Sequence, residues 1–271
     1  MKRSGVLNEK VKIHSLPKII LICGPARSGT TALSYLFARS GVPSHMQPLK
    51  SMIRAATNNE EICPWIIDKS SEQTILSKET IGPEAFFNPV KILADLGYPK
   101  ERIVPILMVR DEAETLCSWE ALWEEIDREN FVQAYHTMKE IADYCHSQSV
   151  PYISFVHGCT HNNPVEIIGA LLKKCGIYAS PQEVMDWSNA TIFDPCTNLD
   201  PYVVFYDEPP GKFIKGIGRG NSYGDRSRVV TEDIRRFISE HEEISKIHQS
   251  FRQRCEKEFG ISLQSKAVSY Q

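Results

Sequence analysis

A glycine-framed turn between an apolar run and a helical segment constrains this chain more than any other feature. KIILIC (18–23) is rich in β-branched residues and ends at Gly24, which predicts a buried strand. TTALSYLFARSG (30–41) spaces its apolar residues as a helix does and stops at Gly41. Between them, GPARSGTT (24–31) places successive backbone N–H groups at a helix N-terminus, where the helix dipole favours an anion. The unit therefore predicts an anion site at the end of the first strand.

The rest of the chain alternates between the same two kinds of segment. The further predicted strands are 73–80, 102–111 and 151–158, and the predicted helices are 88–99, 111–126, 129–148, 163–176 and 231–260, the last as one helix or two. This alternation predicts a three-layer α/β/α fold around a central, mostly parallel sheet, with ligands at the carboxyl ends of the strands. We expect residues 1–16 to be loose and residues 17–271 to form a single domain.

Composition argues against several classes of function. The 271 residues carry a formal net charge of −3, whereas nucleic-acid-binding proteins usually have a basic excess. The eight cysteines form no CxxC pair and no zinc-ligand spacing, so we expect reduced thiols and no metal. The N-terminus lacks the apolar core of a signal peptide, and no apolar run approaches ~20 residues. We therefore expect a cytoplasmic protein that binds neither membrane nor nucleic acid.

The loop lacks the lysine of a nucleoside triphosphatase. A Walker A loop reads GxxxxGK[ST], and Thr30 stands at its lysine position here. Without that lysine, the binding of ATP or GTP with magnesium is disfavoured. Arg27 lies inside the loop instead, and its guanidinium can fork across two oxygens of a phosphate or sulfate. The loop therefore predicts a site for a smaller terminal anion, and the simpler alternative is a tight strand–helix turn without a ligand.

GPARSGTT resembles the phosphosulfate-binding loop of the PAPS-dependent sulfotransferases, which reads PKSGTT in cytosolic members and PRSGTT in many bacterial ones. The resemblance implies that PAPS (3′-phosphoadenosine 5′-phosphosulfate) donates the sulfonate and that no metal takes part. It also implies that Arg27 contacts the 5′-phosphate and the transferring sulfonate. The phosphate nest would then be formed by Ser28, Gly29, Thr30 and Thr31.

A second stretch, PILMVRDEAETLCSW (105–119), is similar to the family's signature for the 3′-phosphate of PAPS. Arg110 ends a predicted strand, and Ser118 follows about two helical turns later. The resemblance implies that these two residues hold the 3′-phosphate. Without the first loop, the same residues would be explained by an ion pair of Arg110 with Asp111 or Glu114.

A third stretch, NATIFDP (189–195), resembles the family's adenine-contacting segment more loosely. Thr191 and Phe193 match the contacting positions, whereas Ile192 stands where the family has a serine. The resemblance implies that Thr191 and Phe193 contact the adenine of the donor.

A fourth stretch, KFIKGIGRG (212–220), is similar to a loop that closes over the 3′-phosphate. Lys215 and Gly216 match the family's pattern. Ile214 stands at the arginine position of that pattern, and Arg219 is the candidate substitute. A mobile surface lid is the simpler interpretation of this glycine-rich loop, and a lid is compatible with a ligand clamp.

The general base has two candidates. ILSKET (75–80) lies where cytosolic members have a catalytic histidine and where several bacterial and heparan-type members have a glutamate next to a lysine. We therefore predict Glu79 as the base and Lys78 as a second cation at the bridging oxygen or the sulfonate. A surface ion pair is the simpler explanation of these two residues. His45 is the rival base.

We expect the acceptor to be a small molecule with a hydroxyl group. Its pocket is predicted from the irregular segment 42–76, the loops of 195–225 and the aromatic residues of the helices around 119–135, which are Trp119, Trp123, Phe131 and Tyr135. Because these aromatics have helical spacing, a place in the core is favoured for them over a place in the pocket.

Two alternatives to a sulfotransferase stay open. One is a P-loop kinase with a degenerate loop. The missing lysine and the lack of a clear Walker B aspartate argue against it, and LMVRD (107–111) is the nearest match to a Walker B segment. The other is a non-catalytic nucleotide-binding protein of the same fold. The sequence does not indicate an oligomeric state.

Overall fold

The structure is a computed structural model that describes residues 16–67, 73–123, 125–160, 163–186, 203–205 and 229–263. The predicted loose segment 1–16 lies outside this part of the chain except for Leu16. The described residues share one hydrophobic core.

Strands and helices alternate as the sequence predicts. The strands are β1 (Ile19–Pro25), β2 (Ser44–Met46), β3 (Ile75–Ile81), β4 (Ile103–Val109), β5 (Ile153–Val156) and β6 (Val203–Phe205). The helices are α1 (Thr30–Arg39), α2 (Pro48–Asn58), α3 (Pro89–Asp95), α4 (Glu112–Glu120), α5 (Arg128–Ser147), α6 (Pro164–Cys175), α7 (Pro181–Met185), α8 (Glu232–Glu240) and α9 (Glu242–Phe259). Short 3₁₀ turns precede β4 (Lys100–Arg102) and follow β5 (His157–Thr160).

The strands form one sheet in the order β5-β4-β1-β3-β2-β6. Every strand pairing within the described residues is parallel, and helices cover both sides of the sheet. All seven residues of β1 are buried, as expected for a central strand of a parallel sheet. The predicted α/β fold with a parallel sheet is therefore confirmed. The carboxyl ends of β1, β3, β4 and β5 meet at one edge, where Arg27 and Arg110 lie.

Several element boundaries differ from the predictions, and the clearest cases lie in segment 42–76 and in α4. Segment 42–76, predicted as irregular, contains the short strand β2 as well as α2. Helix α4 ends at Glu120, six residues before its predicted end. The C-terminal stretch, predicted as one helix or two, is two helices that are divided at His241, whose ring Nδ1 lies 2.9 Å from the carbonyl of Phe237.

The aromatic residues of α4 and α5 belong to the core. Trp119, Phe131 and Tyr135 have no exposed surface, and Trp119 and Phe131 meet edge to face at 5.3 Å between ring centroids. The core interpretation of these residues is therefore correct, and a place in the pocket is excluded for these three. In the part of the chain that the structure describes, none of the helices has the length and apolar character that crossing a membrane requires.

Candidate functional site

The loop after β1 is fixed to its surroundings by backbone hydrogen bonds. Ala26 donates its N–H to the carbonyl of Ile81 at the end of β3 (3.1 Å), and Ser28 donates to the carbonyl of Pro25 (3.1 Å). The indole Nε1 of Trp119 donates to the carbonyl of Ala26. The loop is therefore held from β3 on one side and from α4 on the other.

The backbone of the loop twice adopts the left-handed conformation. Arg27 has φ 68° and Gly29 has φ 98°. A left-handed arginine is uncommon and costs on the order of 1 kcal/mol or more, so the surrounding structure has to hold it. Gly29 is the N-cap of α1, and the first N–H groups of a helix have no intrahelical acceptor. Left-handed residues directly before a helix N-terminus are typical of anion-binding nests, so the loop is a candidate for one.

Ser28 gives independent evidence for a ligand at this loop. Ser28 is fully buried, and its Oγ has no hydrogen-bond partner among the described residues. The hydroxyl lies against Gly24, because a Cβ added to Gly24 would stand 2.6 Å from Ser28 Oγ. Since buried hydroxyl groups normally have partners, this one indicates a polar ligand in the loop.

Arg27 and Ser118 join the two sequence motifs. The Nε of Arg27 donates to Ser118 Oγ at 2.9 Å, although the residues are 91 positions apart. Ser118 is buried on α4, in the same turn as Trp119. Helix α4 therefore holds both the backbone of the loop and the side chain of its arginine.

Arg110 is paired with a carboxylate. Its Nε and Nη2 both donate to Glu114 Oε2, at 3.2 and 2.7 Å, and both side chains are largely buried. Asp111 caps α4 through the N–H of Glu114 (2.9 Å), and burial raises the pKa of Asp111. The ion pair considered in the sequence analysis is therefore present, between Arg110 and Glu114. An anion that binds Arg110 would have to share the guanidinium with this carboxylate.

A cleft of about 770 Å³ opens beside Arg110. Its walls are the start of α4, the end of β5 and helices α8 and α9, and they include Glu112, Gly158, Lys246 and Arg252. Ligand pockets in proteins commonly have volumes of ~300–1,000 Å³, so this cleft is large enough for a nucleoside.

Lys78 and Glu79 point to opposite faces of the sheet. Met46 pairs in register with Lys78, and the sulfur of Met46 accepts a hydrogen bond of 3.5 Å from Ser34 of α1. Because side chains in register share a face and alternate along a strand, Lys78 lies on the α1 face and Glu79 on the other. The structure therefore separates the two predicted catalytic residues of β3.

Glu79 holds the N-terminus of α2. Its fully buried carboxylate accepts the backbone N–H groups of Leu49 (3.0 Å) and Lys50 (3.1 Å) and the hydroxyl of Ser77 (2.8 Å). Burial raises the pKa of Glu79 from 4.5 to about 7, and these hydrogen bonds and the charge of Lys78 oppose the rise. Both carboxylate oxygens are thus engaged with neutral donors of the protein.

The rival base, His45, lies on β2 away from the loop. Its ring is tilted against Trp65 with 5.7 Å between centroids, and burial lowers its pKa. Two residues later in the chain, Gln47 is hydrogen-bonded to Thr80, the residue that pairs with Gly24 of the loop. Contacts within the protein therefore link the start of α2 to the start of the loop.

His157 is a residue of the site that the sequence analysis did not identify. It follows β5, is 6% exposed, and packs its ring against Gly29. A Cβ added to Gly29 would stand 2.3 Å from His157 Cδ2 and 2.9 Å from Met108 Cε. Its position in the sequence could have identified it, because it lies within the last residues of a predicted strand and so at the same edge of the sheet as the loop.

Several predicted contacts cannot be placed. Five predicted nucleotide-binding residues lie outside the described residues: Thr191, Phe193, Lys215, Gly216 and Arg219. Within the described residues, no three His, Cys, Asp or Glu side chains are grouped as ligands of a metal ion.

Comparison with known proteins shows a distant similarity to solved structures. No protein-family model matches the sequence, and no curated protein matches it significantly. A solved structure described as retinol dehydratase in complex with androsterone and inactive cofactor PAP has a TM-score of 0.42 and 13% sequence identity. The alignment covers 94% of this chain and 86% of that one. Similarity at this level carries no functional conclusion, so the function has to be argued from the site itself.

Proposed function

We propose that this protein is a PAPS-dependent sulfotransferase that moves a sulfonate group to a hydroxyl of a small molecule, giving a sulfate ester and 3′,5′-ADP. The observation that carries the proposal is the loop after β1, where the buried hydroxyl of Ser28 has no partner among the described residues. Beside it lies the left-handed Arg27, which donates to Ser118. A loop with an arginine in place of the Walker lysine suits a phosphosulfate better than a triphosphate with magnesium.

The proposed roles follow the positions of the residues. Arg27 stabilises the charge that develops on the bridging oxygen as the S–O bond breaks, because a fixed cation acts most strongly where charge appears. The nest of Ser28, Gly29, Thr30 and Thr31 binds the 5′-phosphate. Lys78, on the α1 face of β3, is the proposed second cation.

The adenosine end of the nucleotide is assigned to the other half of the site. Arg110 and Ser118 bind the 3′-phosphate in this proposal, and the neighbouring cleft offers room for the nucleoside. Thr191 and Phe193 are proposed to contact adenine, and Lys215, Gly216 and Arg219 to close over the 3′-phosphate. Bound PAPS supplies the sulfonate, which forms a new S–O bond to the acceptor as its bond to 3′,5′-ADP breaks.

Calorimetric titration without magnesium tests the donor assignment. We expect 3′,5′-ADP to bind at least about tenfold more tightly than AMP, because only 3′,5′-ADP carries the phosphate for Arg110. Preference for ATP with magnesium would instead support a kinase. A screen of PAPS consumption over a library of metabolite alcohols then identifies the acceptor.

The base assignment is tested by comparing Glu79→Gln with His45→Gln. We propose Glu79 as the base, since a carboxylate with a pKa of about 7 is suited to accept a proton near neutral pH. Glu79→Gln should lower turnover about 100-fold while 3′,5′-ADP binding is retained. To reach an acceptor, Glu79 has to exchange one of its hydrogen bonds to α2. Normal turnover in Glu79→Gln with loss of turnover in His45→Gln would move the role to His45.

A non-catalytic nucleotide-binding protein is the second candidate, and the hydrogen bonds of Glu79 are the observation that favours it. If this carboxylate only caps α2, the fold holds a nucleotide site without the predicted base. Such a protein would bind 3′,5′-ADP and consume no PAPS with any acceptor of the screen. Turnover with one acceptor would exclude it.

A further inference from the structure

We propose that His157 is a further ligand of the anion in the loop after β1, through its ring Nε2. The inference rests on the proposed function, because it assigns a contact to the 5′-phosphate of the nucleotide.

The first step is the position of the imidazole ring. His157 begins the 3₁₀ turn after β5, and β5 is the neighbour of β4 in the sheet. From there the ring reaches across the end of β4 to Gly29, which starts α1. Gly29 belongs to the proposed nest, so the ring lies beside the N-terminus of α1.

The second step is the orientation of the ring. The ring atoms nearest to Gly29 are Cδ2 and Nε2, which would stand 2.3 and 3.0 Å from a Cβ added there. The edge that carries Nε2 therefore faces the loop. Nε2 can donate a hydrogen bond from the imidazolium and from the neutral Nε2–H tautomer, so an anion in the nest has a suitable donor.

The third step is the rigidity of the contact. His157 is 6% exposed, and Met108 of β4 also reaches Gly29, with its Cε 2.9 Å from the same added Cβ. A packed ring loses little further freedom when it binds an anion, which favours a preorganised contact. The contact also explains the glycine, because any side chain at position 29 would overlap the ring of His157.

The test compares His157→Phe, which keeps a ring but removes Nε2, with His157→Gln, whose amide nitrogen can take the place of Nε2. The probes are 3′,5′-ADP, AMP and 3′-AMP, titrated calorimetrically into the full chain. We expect His157→Phe to weaken the binding of 3′,5′-ADP and of AMP by about tenfold, because both nucleotides carry the 5′-phosphate. It should leave 3′-AMP unchanged. His157→Gln should weaken none of them by more than about threefold.

Controls separate a lost hydrogen bond from a damaged fold. His146→Phe makes the same change at an exposed histidine of α5 and should alter no affinity. Arg110→Ala should show the reverse selectivity, with 3′,5′-ADP and 3′-AMP weakened and AMP unchanged. Unfolding in denaturant checks that each variant retains the wild-type slope and hence a folded state.

Three results would overturn the inference. Unchanged AMP binding in His157→Phe shows that Nε2 is not a ligand and leaves the proposed function intact. If His157→Phe and His157→Gln weaken AMP binding equally, the ring only shapes the loop, and the proposed function again stays intact. Failure of the wild type to bind 3′,5′-ADP removes the proposed function itself, and the inference with it.

Discussion

The carboxyl edge of the sheet has two halves that use their polar groups differently. Over β1, β4 and β5, Arg27 of the loop donates to Ser118, the hydroxyl of Ser28 has no partner among the described residues, and the ring of His157 packs against Gly29. Over β3 and β2, Glu79 and Thr80 are bonded to the start of α2. We call these the loop half and the β3 half. The difference teaches that polar groups near a site can serve either a ligand or the architecture around it, and that their hydrogen bonds distinguish the two uses.

The largest effect is expected from the loop half, in Arg27→Ala. This change removes the cation that is proposed to stabilise the leaving phosphate, so kcat should fall by about 10²- to 10³-fold. The transfer assay measures it, with Arg27→Lys to show whether the charge alone is sufficient. Arg236→Ala removes an exposed arginine of α8 and serves as the control. If kcat of Arg27→Ala stayed near wild type, the contrast between the halves would disappear.

The next effect concerns stability in the β3 half. Burial raises the pKa of Glu79 from 4.5 to about 7, so the folded protein holds this proton more tightly than the unfolded chain. The stabilisation is therefore fully present below about pH 4.5 and is lost as the pH rises through about 7. For this one group the difference is about 3 kcal/mol. Between pH 5 and pH 8, the measured free energy of unfolding should therefore fall less in Glu79→Gln than in the wild type.

Glu242 of α9 provides the control for this prediction. The hydrogen bond and charge of Lys246 lower the pKa of this exposed carboxyl below 4.5, and the same contact raises the pKa of Lys246 above 10.5. Its stabilisation is therefore present above about pH 4.5 and is lost only as the pH falls below that value. Because neither partner titrates between pH 5 and 8, Glu242→Gln should leave the difference between these pH values as it is in the wild type. An identical pH dependence in Glu79→Gln and Glu242→Gln would contradict the assignment.

The smallest effect tests how the loop half is held together. Ser118→Ala removes the acceptor of Arg27 Nε, and the arginine should lose its fixed orientation. We expect kcat to fall about tenfold, the effect of one hydrogen bond to a charged group. Ser147→Ala, at an exposed position of α5, is the control. A loss as large as that of Arg27→Ala would mean that Ser118 does more than orient Arg27 and bind the 3′-phosphate.

The loop half was the more predictable from the sequence. Its signals are local, because Gly24, Gly29 and the double threonine lie within eight residues, directly after an apolar run. The order of strands and helices was predictable for the same reason. The break at His241 was not, because a histidine ring that reaches the carbonyl of Phe237 has no glycine or proline signal.

The β3 half depends on contacts between distant residues, and the sequence predicts these poorly. Strand β2 has three residues and gains its place by pairing with β3. The bonds of Glu79 to Leu49 and Lys50 depend on where α2 begins, thirty positions earlier in the chain. The position of His157 against Gly29 likewise depends on the sheet order. No pattern within a short window predicts such contacts.

The indole of Trp119 gives the protein a built-in optical probe. It donates to the carbonyl of Ala26 and is shielded from solvent, with Trp123 5.5 Å away. A negative charge that arrives at the neighbouring turn would alter the electric field along this ring and shift its ultraviolet emission. Binding at the turn is therefore expected to change the intrinsic fluorescence of the unlabelled chain, to which four tryptophans contribute.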